Sequence, residues 1–143
     1  MPWAIESTRH TTATPAEIFR YYAEPSTWGD WGHNTRWARA DGPVGEGSIV
    51  RVKAGYGAVY PVLVRRFVPG TVVECEVRPR GLLVVNRYLV EPAQGGARVR
   101  HEIEVAGRFE GFTRVLLRGL YRRLLGKETR KLVALAEAGP PPV

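Results

Sequence analysis

From residue 97 to 106 the chain reads ARVRHEIEVA. Val99, His101, Ile103 and Val105 fall on one side of an extended chain, and Arg98, Arg100, Glu102 and Glu104 on the other. Such a period of two, apolar against charged, predicts a strand whose sheet is wet on one face and covered on the other. VVECEVR repeats the pattern through Val73, Cys75 and Val77. Further alternating segments predict strands at 3–11, 35–41, 47–54, 59–68, 71–78, 82–91 and 97–106. GPVGEG, GYG, PG, PRG and AQGG separate most of them and read as hairpin connections, so the expectation is about seven antiparallel strands.

Two regions depart from this period. In TPAEIFRYY, Thr14 reads as a helix N-cap, Pro15 as the first helical residue and Glu17 as the reciprocal capping partner. Ile18, Tyr21 and Tyr22 share a face, and Pro25 ends the helix after about two turns. From 109 to 137 the period becomes helical: Phe112, Leu116, Leu120 and Leu124 step by four, with Leu132, Leu135 and Ala136 further along. Arg114, Arg118 and Arg122 step by four on another face. Between strand 1 and the remaining strands lies STWGDWGHN, in which Trp28 and Trp31 fall on one side of a helical turn. One long helix and two short ones must cover the apolar face of a twisted sheet. A single rod does not fill so wide a groove, which is then either plugged by large side chains or left as a cavity.

Composition narrows the class. The 143 residues carry a net charge of +7, and only Lys53, Lys127 and Lys131 of the 21 basic residues are not arginine. Such a charge suits acidic partners or a solvated surface. Base recognition would want exposed aromatics interleaved with arginine; the aromatics here fall at core positions, so nucleic acid is not the expected partner. No apolar run is long enough to span a bilayer, and MPWAIESTRHTT lacks the apolar centre of a signal peptide. The expected location is the cytoplasm. The one cysteine, Cys75, allows no internal disulfide and reads as a buried thiol. The histidines at 10, 33 and 101 lack metal-ligand spacing, and neither GPVGEG nor GYGAVY has the context of a phosphate loop. No metal, nucleotide or other cofactor is expected.

The order strand, two short helices, six strands and long C-terminal helix resembles the helix-grip fold of the START-like (SRPBCC) superfamily. That superfamily includes polyketide cyclase/dehydrase and lipid-transport proteins and the birch-pollen-allergen-like proteins. TPAEIF, PSTWGDW, GEGSIVRV, GGARVRHEIEV and LLRGLYRRLLGKETRKLVALAE carry the resemblance. It implies an α+β helix-grip domain over residues 1–138, a curved seven-stranded antiparallel sheet around the long helix, with 139–143 as a flexible tail. It also implies a hydrophobic small molecule as ligand, held between sheet and helix. Members are carriers, sensors or aromatase/cyclase enzymes.

In that arrangement Trp28 and Trp31 wall the cavity or seal the core beside it. His101, on the covered face, is a general acid/base candidate or a core histidine bonded to a neighbour such as a tyrosine hydroxyl; the second reading is preferred, because no inward acid is visibly paired with it. Asn86 and Tyr88 are polar anchors if they face inward, with Arg87 outward; a slip of one residue reverses them. Tyr60 lines the cavity mouth or caps an edge strand. Trp37 faces the pocket or packs beneath it. Phe112, Leu116, Leu120 and Leu124 are core and cavity floor together. His33 and Asp30, near the tryptophans, either bond a ligand at the cavity entrance or are exposed loop residues without a role; the second reading is preferred. The expected function is binding of an aromatic, acyl or polyketide-like molecule, with a polyketide aromatase/cyclase or dehydratase as the alternative. An acidic partner at the arginine face, and the choice between monomer and homodimer, stay open.

Overall fold

A computed structural model describes residues 2–139. Its elements run β1 (Trp3–Thr11), α1 (Pro15–Ala23), a short 3-10 turn (Pro25–Thr27), α2 (Trp28–Trp31), β2 (Thr35–Arg39), β3 (Ile49–Ala54), β4 (Val59–Val68), β5 (Val72–Val77), β6 (Leu82–Ala93), β7 (Gly96–Gly107) and α3 (Glu110–Ala138). The strands form one antiparallel sheet in the order β1-β7-β6-β5-β4-β3-β2, so β1 and β2 are its edges. This is the helix-grip arrangement expected from the sequence. Of the expected tail, only Gly139 lies within the described residues; its N–H bonds the Ala136 carbonyl at 3.3 Å.

Local chemistry sets the two short helices. The Thr14 hydroxyl accepts from the Glu17 N–H at 3.2 Å while the Glu17 carboxylate accepts from the Thr14 N–H at 3.2 Å, closing the capping box. Helix α1 then turns Ile18, Phe19, Tyr21 and Tyr22 into the core. Helix α2 lies directly on the backbone of β2. A methyl group at Gly29 would collide with the Arg36 carbonyl oxygen, so only glycine permits the approach.

The core is the inner face of the sheet closed by α1, α2 and the C-terminal half of α3. Ile18, Tyr22, Trp31, Val50, Val64, Val73, Val99 and Leu132 belong to its main cluster. A smaller cluster joins Trp3, Ile5, Ile103, Val105 and Leu125 near the other end of β1. Helix α3 packs chiefly on β1 and β7, the neighbouring strands at one edge.

The apolar stripe expected along α3 is only partly inside. Leu125, Leu132, Val133 and Ala136 are buried, but Phe112 and Leu116 are 65% and 59% exposed. The reason is geometric. At 3.6 residues per turn each step of four rotates about 40° too far, so five steps from Phe112 to Leu132 turn through roughly 200°. The two ends of the stripe therefore face opposite sides of the helix. Arg114, Arg118, Arg122 and Arg123 are exposed on this same half of α3 and form no ion pair among the described residues.

Candidate functional site: a cavity with a buried carboxylate behind its wall

A cavity of about 880 Å³ lies between the middle of α3 and strands β3 to β6. Val77, Val84, Leu120 and Leu124 give it apolar walls, and His33, Tyr60, Asn86 and Tyr121 add polar groups. Register explains the inward set: Val84 pairs with Val77 and Asn86 with Cys75, on the covered face. Strands β4 and β5 stop pairing at Leu63–Glu76. Beyond that pair Tyr60 and Pro61 on one strand, and Val77, Arg78 and Pro79 past the other, all border the cavity. Neighbours of both parities line it here, so the hollow extends to where the β4–β5 pairing ends. Tyr56, 76% exposed in the β3–β4 turn, stands at this mouth.

Behind the wall Glu128 is buried, with 1% of its surface exposed. One carboxylate oxygen accepts from the His33 backbone N–H at 2.8 Å and from the His33 ring Nδ1 at 2.6 Å. The other accepts from His101 Nδ1 at 2.7 Å. Burial alone would raise the Glu128 pKa, but the charge of His33 and the hydrogen bonds from both imidazoles outweigh it and hold the acid well below the usual carboxylate range. For His33, burial works downward while the Glu128 charge and hydrogen bond work upward; the net shift is upward. An ionised Glu128 only accepts, so each histidine turns an Nδ1–H toward it. His101 Nε2 lies 2.9 Å from the Tyr22 hydroxyl, which donates to the Leu89 carbonyl at 3.1 Å. Burial first, then the nearby Glu128 charge, raise the Tyr22 and Tyr88 phenols well above their ordinary value, so both stay protonated.

His33 is positioned by the chain around it. Helix α2 ends at Gly32, and Asn34 turns the chain with φ of 53°, a conformation asparagine tolerates. The Asn34 side-chain oxygen accepts from the Gly55 N–H at 3.0 Å, tying the turn to the far end of β3. The ring of His33 stands edge-on to Tyr121, with centroids 6.1 Å apart.

Among the residues singled out in the sequence, Tyr60, Asn86 and Leu120 line the cavity. Trp28, Trp31, Tyr88 and His101 lie deeper. Trp31 is 1% exposed, its ring meets Tyr88 edge-on at 5.2 Å, and the His101 ring is 5.0 Å from Tyr88. The indoles donate to the Thr27 hydroxyl and the Tyr22 carbonyl, so α2 is a core plug. Trp37 is half-buried beneath the Arg39 guanidinium at 4.5 Å and does not border the cavity. Phe112 and Leu116 face outward, as described above. Arg87 points outward and binds Glu74 and Glu104 at 3.1 and 2.8 Å. Asp30 does not border the cavity.

Two expectations need correction. An inward acid is paired with a base, since Glu128 holds His101. His33 is no exposed loop residue; it is tied to Glu128 and borders the cavity. The signal for Glu128 was present: it sits four after Leu124 and four before Leu132, a lone charge inside an apolar repeat. The signal for His33 was absent, because its partner is 95 positions away. Among the described residues no group of three or more His, Cys, Asp or Glu could hold a metal ion; the two imidazoles take opposite oxygens of Glu128. No described helix is long and apolar enough to cross a membrane.

The fold recurs in solved structures. The protein MLL2253 from Mesorhizobium loti superposes with a TM-score of 0.76 at 16% identity, covering 97% of this chain and 100% of that one. The di-domain ARO/CYC StfQ from the steffimycin biosynthetic pathway gives 0.77 at 12% identity; 96% of this chain is covered, and 51% of StfQ. Ara h 8.0201 gives 0.70 at 10% identity, with 97% and 100% covered. At such identities these likenesses show the fold. No curated protein sequence matches the chain. The family described as polyketide cyclase / dehydrase and lipid transport matches residues 2–137. The chain belongs to that family.

Proposed function

We propose that the chain binds a hydrophobic small molecule, aromatic, acyl or polyketide-like, in the cavity between sheet and α3. The observation that carries this reading is the 880 Å³ hollow itself, within the size range of small-molecule sites and walled by Val77, Val84, Leu120 and Leu124 with a few polar groups. Family membership and the likeness to ARO/CYC proteins support it. Replacing Val84 by Trp puts an indole into the hollow from the middle of the wall. An apolar fluorescent dye should bind the native protein and fail to bind Val84→Trp, while circular dichroism shows both folded. A native protein that leaves the dye in water would overturn the reading.

A second reading, a polyketide cyclase or dehydratase acting in the same cavity, is favoured by one observation. The wall carries an imidazole backed by a buried carboxylate, which apolar binding alone does not require.

A further inference from the structure

We propose that the N-terminal half of α3 docks on the surface of a bilayer rich in anionic lipid, lying in the headgroup layer rather than across it. The proposal goes beyond the binding function above and does not depend on it.

The helix is held from its inner side. The Trp3 indole donates to the Thr113 hydroxyl at 3.1 Å, and Leu117 and Tyr121 pack on the cluster of Trp3, Ile5 and Ile103. The opposite arc faces solvent, and Phe112, Val115, Leu116 and Leu120 on it are all at least half exposed. At 3.6 residues per turn these four share about 140° of the circumference, as wide as the face an amphipathic helix turns to a core. Just before them Phe109 is 75% exposed and caps the helix with φ of 59°. A left-handed backbone is unfavourable for an aromatic residue, and no side-chain capping bond compensates it. Apolar side chains exposed side by side in this way mark an interaction surface.

Charge identifies the occupant. Between Glu110 and Glu128 the helix has no acid and five bases, Arg114, Arg118, Arg122, Arg123 and Lys127, all exposed. Arg118 and Arg122 border the apolar arc on the Val115 side, and Arg123 follows Leu116 along it. A second copy of the chain would bring the same bases against them. An acidic protein would meet the charge but would also need a groove for a convex apolar ridge. A bilayer offers both, phosphate at the level of the guanidiniums and acyl chains beneath. The inner arc already holds the helix in place, so docking has little left to order.

The test is cosedimentation of the full chain with vesicles of phosphatidylcholine, alone or mixed equally with phosphatidylglycerol. The native chain should bind the mixed vesicles at low salt and let go as salt rises. Phe112→Ser combined with Leu116→Ser should weaken binding about 10-fold or more, and Arg118→Gln combined with Arg122→Gln about 10-fold. Val84→Trp, with its cavity filled, should bind as the native chain does. An environment-sensitive dye on the thiol of Val115→Cys should shift its emission to the blue on the mixed vesicles; Cys75 is buried and stays unlabelled. If a double variant does not fold, the salt dependence and the Val115→Cys dye decide. No binding, equal binding to phosphatidylcholine alone, binding that salt leaves unchanged, or a dye that does not shift overturns the proposal. So does native-like binding by the folded serine pair, or loss of binding in Val84→Trp, which traces it to the cavity. A dimer that Leu116→Ser dissociates assigns the face to a second copy. Retention on polyglutamate that Leu116→Ser abolishes, without vesicle binding, assigns it to an acidic protein. Either result overturns the proposal. The binding function is tested separately, by the apolar dye on the native chain.

Discussion

Glu128 is a full charge held out of water, and that is tolerable only while its donors stay in place. Glu128→Gln keeps the shape but removes the charge that two imidazoles and a backbone N–H were arranged to meet; urea unfolding should show a loss of about 3 kcal/mol. The pH dependence follows from the two shifts. Glu128 has its folded pKa lowered from 4.5, so its contribution is complete above that value and fades as the pH falls below it. His33 has its folded pKa raised from 6.5, so its contribution is complete below that value and fades as the pH rises through the raised one. Both shifts describe one ion pair and do not add. Urea midpoints should therefore peak between 4.5 and 6.5 and fall on either side; a midpoint independent of pH would dissociate the pair from stability. At this scale the sequence is least legible. His101 declares its burial through the alternation around it. His33 follows a glycine in a turn and becomes interior only because a helix far along the chain delivers Glu128 to it.

Helix α3 is one element with two environments. Its C-terminal half packs on the sheet through Leu125, Thr129, Leu132 and Val133, whereas Phe112, Val115 and Leu116 meet solvent. Leu132→Ala should cost about 2–5 kcal/mol through the void it leaves. Leu116→Ser should stay within about 0.5 kcal/mol of the native protein. Comparable losses from both would mean that the outer face is covered in solution. The extent of α3 was readable from its helical period, and the strands from their alternation, because each pattern is local. Which side of α3 faces inward was not, since a repeat of four drifts around a helix of 3.6 residues per turn, and packing against β1 and β7 selects the inner arc.

For the molecule as a whole, the order of elements sufficed to indicate the fold, because covering one face of an antiparallel sheet with one long helix leaves few arrangements. Whether the space left over is filled was not readable. The tryptophans of α2 could have plugged it, but they seal the core at one end, and the hollow opens toward the other side of α3. The fold thus gives the helix two environments: a densely packed C-terminal end and a looser middle that borders the cavity.

The end of the β4–β5 pairing at Leu63 and Glu76, beside the cavity, has a kinetic consequence. An entrance that is already open where this pairing ends would need no hinge to swing before a ligand enters. Stopped-flow traces of dye uptake should be single exponentials whose rate climbs linearly with dye concentration, without the plateau that a slow opening step imposes. Discrimination among visitors would then reside in how long each stays.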